Sequence, residues 1–276
     1  QSYRHSLQLH PACNSCNMRL DSVRAIVTGA GGGLGRVFCS QLVACGAKVV
    51  GTDFDRTHLD ETTATIMEQE KRGKKSFHAL QGSVGSEEDV GKLFAQAKEL
   101  MGGCNVLINN AGTLRDALLV KTDKATGKGM KAMSKDDWDT VINVNLTGPF
   151  LCAREFAAMA IGNEPEAVIV NISSSARAGY VGQSNYSAAK AGLAADTTVW
   201  AKELAKHNIR VGAIAPGAVR TKILDKVPPE MLKRLESSVP LRRLGEREEI
   251  WLGVKFIIEC DYFTARVLEI DGGLLA

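Results

Sequence analysis

Short apolar runs recur along the chain, with longer stretches of helical periodicity between them. Most of the runs are continuously apolar, as is typical of strands that are buried on both faces. The predicted strands are residues 25–29, 48–53, 76–82, 106–112, 167–173, 209–217 and 266–273. The predicted helices are residues 34–45, 58–72, 86–101, 134–161 and 184–206. This order predicts a Rossmann-like, doubly wound α/β fold: a seven-stranded parallel sheet with helices on both faces.

Two polar segments interrupt the alternation. Residues 121–133, KTDKATGKGMKAM, predict a surface loop or a short hairpin. Residues 222–245 contain three of the seven prolines and follow a strand end. Ligands of open α/β sheets bind outside such ends, so this second segment is placed like a lid. No Pro/Ser-rich linker occurs, and we expect residues 18–276 to form a single domain.

The first seventeen residues differ from the rest of the chain and contain no acidic residue. Cys13 and Cys16 lie near His5 and His10, but this set lacks the ligand frame of a tetrahedral zinc site. We therefore expect residues 1–17 to be expression-tag or upstream sequence, with Met18 as the native start and no metal site.

The composition is that of an ordinary globular protein, with 45% hydrophobic and 24% charged residues. The 34 Lys and Arg residues against 31 Asp and Glu residues leave a net charge of +3, which argues against a nucleic-acid partner. No apolar run reaches the 18 or so residues that a membrane span needs. The seven cysteines lie mostly in apolar segments, which predicts reduced core thiols and a cytoplasmic location.

A glycine-rich turn, TGAGGGLGR at residues 28–36, follows the first predicted strand and opens a helix. A pyrophosphate needs backbone amides at close range, and a helix N-terminus adds partial positive charge. Bare glycine backbone at this position predicts a dinucleotide site. The residues expected to line it are Gly29, Gly31, Gly32, Gly33, Leu34 and Gly35.

Asp53 ends the second predicted strand. A carboxylate there accepts hydrogen bonds from the adenosine ribose of NAD and repels the additional phosphate of NADP. No Lys or Arg occurs among residues 30–33, so the sequence favours NAD, with NADP as the alternative. A simple cap of the strand end is the non-functional interpretation of Asp53.

Tyr186 and Lys190 are four residues apart in a predicted helix, so their side chains share one face. A free tyrosine has a pKa of about 10, and a neighbouring ammonium group favours the phenolate. The pair is able to transfer a proton near neutral pH. Taken alone, the same spacing is more often a packing pair on a helix surface.

Several motifs together resemble the short-chain dehydrogenase/reductase family over residues 20–276. They are TGAGGGLG, NNAG (109–112), NVNLTG (143–148), NISSS (171–175), YSAAK (186–190) and APGAVRT (215–221). The resemblance implies that Tyr186 is the general acid/base, and that Lys190 lowers its pKa and binds the nicotinamide ribose. It implies that Asn145 holds a water molecule that links Lys190 to solvent. Further cofactor contacts implied by the resemblance are Ser83, Val84, Asn110, Ala111, Gly112, Pro216, Gly217, Val219 and Thr221.

The family's catalytic serine has two candidates. Counting thirteen residues back from Tyr186 gives Ser173, whereas the second hydroxyl residue of the N-I-S-S strand end is Ser174. Successive strand residues face opposite sides, so only one can face the substrate. We favour Ser174, because the loop before Tyr186 is the more variable part, and we assign Ser175 to the turn.

The segments NNAGTLRDALLVK, VPLRRLGEREEI and DYFTARVLEIDGG resemble 3-oxoacyl-thioester reductases. This implies a 3-oxoacyl-(acyl carrier protein) or acetoacetyl-CoA type of substrate. The predicted helices over residues 134–161 and 184–206 resemble those that pair across the family's tetramer, which implies a homotetramer. Two alternatives stay open: a dehydrogenase of another secondary alcohol, such as a sugar or steroid, and a non-catalytic NAD(H)-binding sensor or scaffold.

Two residues depart from the family pattern. Ser83 stands where the family often has an adenine-contacting aspartate, and Ala265 replaces a frequent glycine.

Overall fold

A computed structural model describes residues 18–69, 76–221 and 228–274 of the chain, and seven of its strands form one parallel sheet. These strands are β1 (Arg24–Thr28), β2 (Lys48–Asp53), β3 (Phe77–Gln81), β4 (Val106–Asn109), β7 (Ala167–Ile172), β8 (Ile209–Pro216) and β9 (Val267–Ile270). Their order in the sheet is β3-β2-β1-β4-β7-β8-β9. The strand order reverses between β1 and β4, and such folds bind ligands at this reversal point.

Eight α-helices are found in the described parts of the chain. They are α1 (Gly33–Ala44), α2 (Arg56–Gln69), α3 (Glu87–Met101), α4 (Lys135–Ile142), α5 (Gly148–Ala160), α6 (Ser184–Leu204), α7 (Pro229–Ser238) and α8 (Arg247–Glu259). Apolar side chains of α1, α2 and α8 pack on one face of the sheet, and those of α3, α5 and α6 pack on the other. The predicted doubly wound fold is confirmed.

Helix α3 shows how local sequence fixes an element. The Ser86 hydroxyl accepts a hydrogen bond from the amide of Asp89 at 3.2 Å, which caps the first turn. Gly102 ends the helix at a φ of +74°, a left-handed conformation that glycine adopts without strain. Between these two caps the apolar face of α3 is buried against the sheet.

The predicted helix over residues 134–161 is interrupted. Between α4 and α5, residues Asn143–Thr147 form a π-helical turn, which widens the backbone by one residue. Such turns frequently occur at functional sites. Hydrophobic periodicity cannot reveal this feature, because the backbone stays helical on both sides of it.

The predicted surface hairpin is present as an antiparallel ribbon of β5 (Val120–Thr122) and β6 (Gly129–Ala132). Of the predicted lid, the structure describes residues 228–245, which contain α7. Three stretches that the sequence analysis covered lie outside the described residues. They are residues 222–227 of that segment, residues 70–72 of the predicted second helix, and residues 1–17.

The cysteines of the described residues are free thiols. Burial raises the pKa of Cys104 and Cys152 to about 12, so both are inert core groups at neutral pH. Cys13 and Cys16 of the N-terminal segment lie outside the described residues. Among the helices that the structure describes, none is long and apolar enough to span a bilayer.

Candidate active site

The glycine-rich turn between β1 and α1 is as tight as the sequence predicts. Gly29 and Gly33 have φ values of +65° and +49°, in the left-handed region. A Cβ atom added to Gly35 would lie 2.0 Å from the carbonyl oxygen of Gly29 and 2.7 Å from Nδ2 of Asn110. No side chain therefore fits at Gly35, and the turn has to pack against α1 as bare backbone.

The N-terminus of α1 fits a pyrophosphate. Gly32 is the N-cap, and no side chain accepts a hydrogen bond from the first helical amides. A Cβ atom added to Gly32 or Gly33 would meet no atom within 4 Å. There is thus open space beside the first turn of α1, whose N–H groups carry the positive end of the helix dipole that anion binding requires.

Asp53 lies beside this turn at the end of β2. Its Oδ2 accepts a hydrogen bond from the amide of Gly31 at 2.9 Å, and its Oδ1 accepts one from the amide of Asp55 at 3.0 Å. Arg36 donates to the carbonyl of Gly31 at 2.7 Å and pairs with Glu61 at 2.8 Å. The Asp53 carboxylate is therefore held in place, and Arg36 is directed to Glu61.

The end of β4 locks the turn from the other side. Nδ2 of Asn110 donates to the carbonyls of Thr28 and Gly29 at 2.9 and 3.1 Å. The hydroxyl of Thr28 accepts hydrogen bonds from the amides of Asn110 and Ala111, each at 3.0 Å. Sequence reasoning did not assign a role to Thr28, although its place at the start of the glycine motif was the available signal.

The remaining predicted cofactor contacts lie at or just after the ends of β3, β4 and β8. The hydroxyl of Ser83 accepts from the amide of Gly85 at 3.3 Å, and Val84 is buried against Gly148. At the end of β8, a Cβ atom on Gly217 would lie 2.7 Å from Cα of Asp271. The other predicted contacts in these segments are Gly112, Pro216, Val219 and Thr221, the last of which directly precedes residues 222–227.

Lys190 is buried where β7 meets α6. Its Nζ donates to the carbonyl of Ile172 at 2.7 Å and lies 5.6 Å from the centre of the Tyr186 ring. Desolvation lowers the pKa of Lys190 to about 8. The lysine is thus held under the tyrosine in an environment where its proton is released near physiological pH.

The two candidate serines have different partners. The hydroxyl of Ser174 lies beside the phenol of Tyr186, whose pKa it lowers, and it accepts a hydrogen bond from the amide of Ala176 at 3.1 Å. The hydroxyl of Ser173 is buried and donates to the carbonyl of Lys190 at 2.9 Å. Ser174 therefore faces the tyrosine, and Ser173 joins the strand to the helix that carries the lysine.

The pKa of Tyr186 is raised, which differs from the sequence-based expectation. Burial of the hydroxyl raises the pKa most strongly, the neighbouring Ser174 hydroxyl opposes this, and the carboxylate of Asp116 raises it further. Asp116 accepts a hydrogen bond from Gln183 at 2.9 Å, which holds it near the tyrosine. The expectation considered the charge of Lys190 but not the loss of water around the phenol.

Asn145 lies in the π-helical turn and is completely buried. Its Nδ2 donates to the carbonyls of Thr113 and Val141, both at 2.9 Å, and its Oδ1 accepts from the amide of Thr113 at 3.3 Å. Every one of these partners is backbone, so Asn145 fixes the segment after β4 against α4. A water molecule bound there stays a prediction.

Asn185 was not singled out from the sequence. Its Oδ1 accepts from the amide of Tyr186 at 2.8 Å, and its Nδ2 donates to the carbonyls of Arg115 and Asp137 at 3.1 and 3.2 Å. The side chain thereby ties the start of α6 to the segment after β4. Its place directly before the tyrosine was the only signal in the sequence.

Comparison with known proteins gives consistent results. The family model described as short chain dehydrogenase matches residues 24–232. A 3-oxoacyl-(acyl-carrier-protein) reductase of Thermotoga maritima is 36% identical over 262 residues, which are 94% of this chain and 100% of the relative. A (3R)-3-hydroxyacyl-CoA dehydrogenase of Canis lupus familiaris is 36% identical over 93% of this chain and 98% of the relative.

A solved structure shares the fold. It is provisionally described as a gluconate dehydrogenase from Agrobacterium tumefaciens, and it superposes with a TM-score of 0.81 at 26% sequence identity. The match covers 95% of this chain and 99% of that one.

Proposed function

Because the chain belongs to the short-chain dehydrogenase family and is an oxidoreductase with a nicotinamide cofactor, we propose that it reduces the 3-oxo group of an acyl thioester to a 3-hydroxyl group. The observation that carries this proposal is the placement of Ser174 beside the phenol of Tyr186, with Lys190 buried beneath the ring. The thioester class is supported by two groups of relatives whose names specify 3-oxoacyl or 3-hydroxyacyl substrates.

The residues divide the work between binding and proton transfer. The amides at the start of α1 would hold the pyrophosphate, and Asp53 would accept hydrogen bonds from the adenosine ribose. When bound, the nicotinamide supplies the hydride. Oη of Tyr186 donates the proton to the carbonyl oxygen of the substrate, and the Ser174 hydroxyl donates a hydrogen bond to the same oxygen as negative charge develops on it.

The raised pKa of Tyr186 favours reduction at neutral pH. A phenol with a pKa above its ordinary value of 10.0 keeps its proton there, and reduction requires the protonated form. Oxidation of a 3-hydroxyacyl thioester requires the phenolate, so that direction gains as the pH rises. Lys190, with a pKa of about 8, is the group next to the ring that exchanges protons in this range.

We propose NAD as the physiological cofactor. The Asp53 carboxylate, fixed by the amides of Gly31 and Asp55, would lie against the adenosine ribose. The two arginines nearest to it in sequence, Arg36 and Arg56, form ion pairs with Glu61 and Asp60. A 2′-phosphate would therefore meet a carboxylate without a matching cation.

We also propose a homotetramer. Helices α4, α5 and α6 expose Trp138, Phe150 and Val199, whose side chains would be covered by a second subunit. Sedimentation velocity of the purified chain measures the assembly, and a monomer would contradict it.

The direct test is the reduction of acetoacetyl-CoA, monitored by the loss of NADH absorbance. The same assay is then repeated with NADPH. We expect turnover with a clear preference for NADH, and loss of turnover but not of NADH binding in Tyr186→Phe. The comparison panel contains gluconate and a secondary-alcohol steroid in the oxidative direction. Faster turnover of one of these would reject the thioester assignment, and NADH binding without turnover of any substrate would indicate a sensor or scaffold.

A further inference from the structure

The β5–β6 ribbon carries an unusual surface charge. It contains four lysines, and with Asp123 as its one acidic residue its net charge is +3. Every one of the four lysines is exposed. The carboxylate of Asp123 accepts hydrogen bonds from the amides of Ala125 and Thr126 at 3.0 and 2.7 Å, so it serves the turn of the ribbon. The lysines are Lys121, Lys124, Lys128 and Lys131.

Two of these lysines are placed directly opposite each other. Lys121 on β5 pairs with Lys131 on β6, so both side chains project from the same face of the ribbon. Like charges in this position destabilise a strand pair, and a two-stranded ribbon is only marginally stable in water. Neither ammonium group forms an ion pair within the described residues. An anion bound between the two groups would relieve this repulsion.

The ribbon grows directly from one wall of the active site. Ala117 donates from its amide to the carbonyl of Gly182 at 2.8 Å, next to the Asp116–Gln183 hydrogen bond. Two residues later, the carbonyl of Leu119 accepts from the amide of Met133 at 3.1 Å and closes the base of the ribbon. Lys121 is four residues from Ala117, a span of at most about 14 Å.

We propose that the Lys121–Lys131 pair binds the phosphate groups of coenzyme A when the acyl thioester occupies the active site. This inference rests on the proposed function and names the carrier of its substrate. The thioester end of such a substrate lies at Tyr186, and its phosphates lie at the far end of the pantetheine arm, outside the crevice. Lysine ammonium groups suit phosphate as compact point charges.

The ribbon fits a small polyanion better than the surface of a carrier protein. A stable protein–protein interface buries about 800 Å² on each partner. The ribbon consists of strands of three and four residues, and one face of it presents a single opposed pair of lysines. A nucleotide with clustered phosphates can contact both ammonium groups at once.

The test compares Lys121→Gln/Lys131→Gln with the matched control Lys202→Gln/Lys206→Gln. The control lysines are exposed on and just after the end of α6, about 25 Å along the helix from Tyr186. We expect the ribbon variant to raise KM for acetoacetyl-CoA about tenfold with kcat unchanged. We expect the control variant to match the wild type, and KM for acetoacetyl-pantetheine, which has no phosphate, to be the same in all three proteins.

Several outcomes would overturn the proposal. An unchanged KM for acetoacetyl-CoA in the ribbon variant rejects it, as does an equal rise in KM for acetoacetyl-pantetheine. A larger loss with an acyl-carrier-protein thioester than with the CoA thioester also rejects it, because the ribbon would then recognise a protein. Turnover of acetoacetyl-pantetheine by the wild type tests the proposed function without the phosphates. If it occurs, the outcomes above concern the lysine pair alone.

A second variant tests the pair without weakening the ribbon. Lys121→Glu places a carboxylate opposite Lys131, which stabilises the strand pair while repelling phosphate. We expect a larger rise in KM for acetoacetyl-CoA than in the glutamine variant, together with slower amide hydrogen exchange in the ribbon. Slower exchange with an unchanged KM contradicts the proposal.

Discussion

The β7–α6 junction and the β5–β6 ribbon both present lysine, under opposite conditions. At the junction, Lys190 is buried, its Nζ is bonded to the carbonyl of Ile172, and desolvation lowers its pKa to about 8. On the ribbon, Lys121 and Lys131 are exposed and face each other across two strands. The same side chain is withdrawn from water in the first region and faces a like charge in solvent in the second.

The difference shows what each environment costs the protein. Burial of the Lys190 ammonium group destabilises the folded state. The group is held by its hydrogen bond to the carbonyl of Ile172, and Ser173 donates to the backbone carbonyl of the same lysine. The ribbon lysines stay hydrated, so they lower the stability of the ribbon only through their mutual repulsion. We therefore expect changes at the junction to act on kcat and on folding stability, and changes on the ribbon to act on KM.

The largest effect is expected for Lys190→Met. Activity should fall by about 10²–10⁴-fold, because the group beneath Tyr186 that exchanges protons is lost. Folding stability should rise by roughly 1–3 kcal/mol at pH 7, since a buried charge is removed from the interior. The measurements are steady-state turnover and urea unfolding.

The pH dependence of that stability gain has a defined sign. The pKa of Lys190 is about 8 in the folded state, below its ordinary value of 10.5, so the wild type gains stability as the pH rises between these values. The advantage of Lys190→Met should be constant below pH 8 and shrink above it. Two results would contradict this account: a stability difference between Lys190→Met and the wild type that does not change with pH, or a variant that is less stable than the wild type. Either would show that burial of the ammonium group does not lower the stability of the wild type.

Replacement of the two serines should separate their functions. Ser174→Ala removes the hydroxyl that faces Tyr186 and should lower kcat by about 10²–10³-fold. Ser173→Ala removes the bond to the carbonyl of Lys190 and should cost about 1 kcal/mol of stability with a smaller loss in kcat. The reverse order of kcat values would assign the catalytic function to Ser173.

The smallest effect is expected for Asp116→Asn. The Asp116 carboxylate raises the pKa of Tyr186, so its removal should move the alkaline rise of 3-hydroxyacyl-CoA oxidation to lower pH. Because Asp116 is exposed, solvent screening keeps the shift small. A shift to higher pH would contradict the arrangement of charges around the phenol. Gln183→Ala is the matched control that removes the hydrogen-bond partner of Asp116 but not its charge.

Patterns with short-range causes could be predicted from the sequence. The apolar runs placed the seven strands of the sheet, because a strand buried on both faces has to be apolar throughout. The glycine turn followed from the need for bare backbone at Gly35. The strand register before Tyr186 favoured Ser174, and the structure brings that serine to the tyrosine.

Features that depend on tertiary contacts could not be predicted. The π-helical turn at Asn145 leaves no trace in hydrophobic periodicity, and the link from Asn185 to the segment after β4 joins residues 70 positions apart. The direction of the pKa shift of Tyr186 depends on how much water reaches its hydroxyl, which no local pattern contains. The opposition of Lys121 and Lys131 requires the register of the ribbon.

The central claim is that the β7–α6 junction performs the chemistry and the ribbon recognises the carrier. It is tested most directly by kcat and KM for acetoacetyl-CoA in three proteins: Ser174→Ala, Lys121→Gln/Lys131→Gln, and the triple variant. We predict that the serine change lowers kcat, the lysine changes raise KM, and the triple variant shows both effects at full size. A fall in kcat from the lysine changes, or wild-type kcat in Ser174→Ala, would contradict the account.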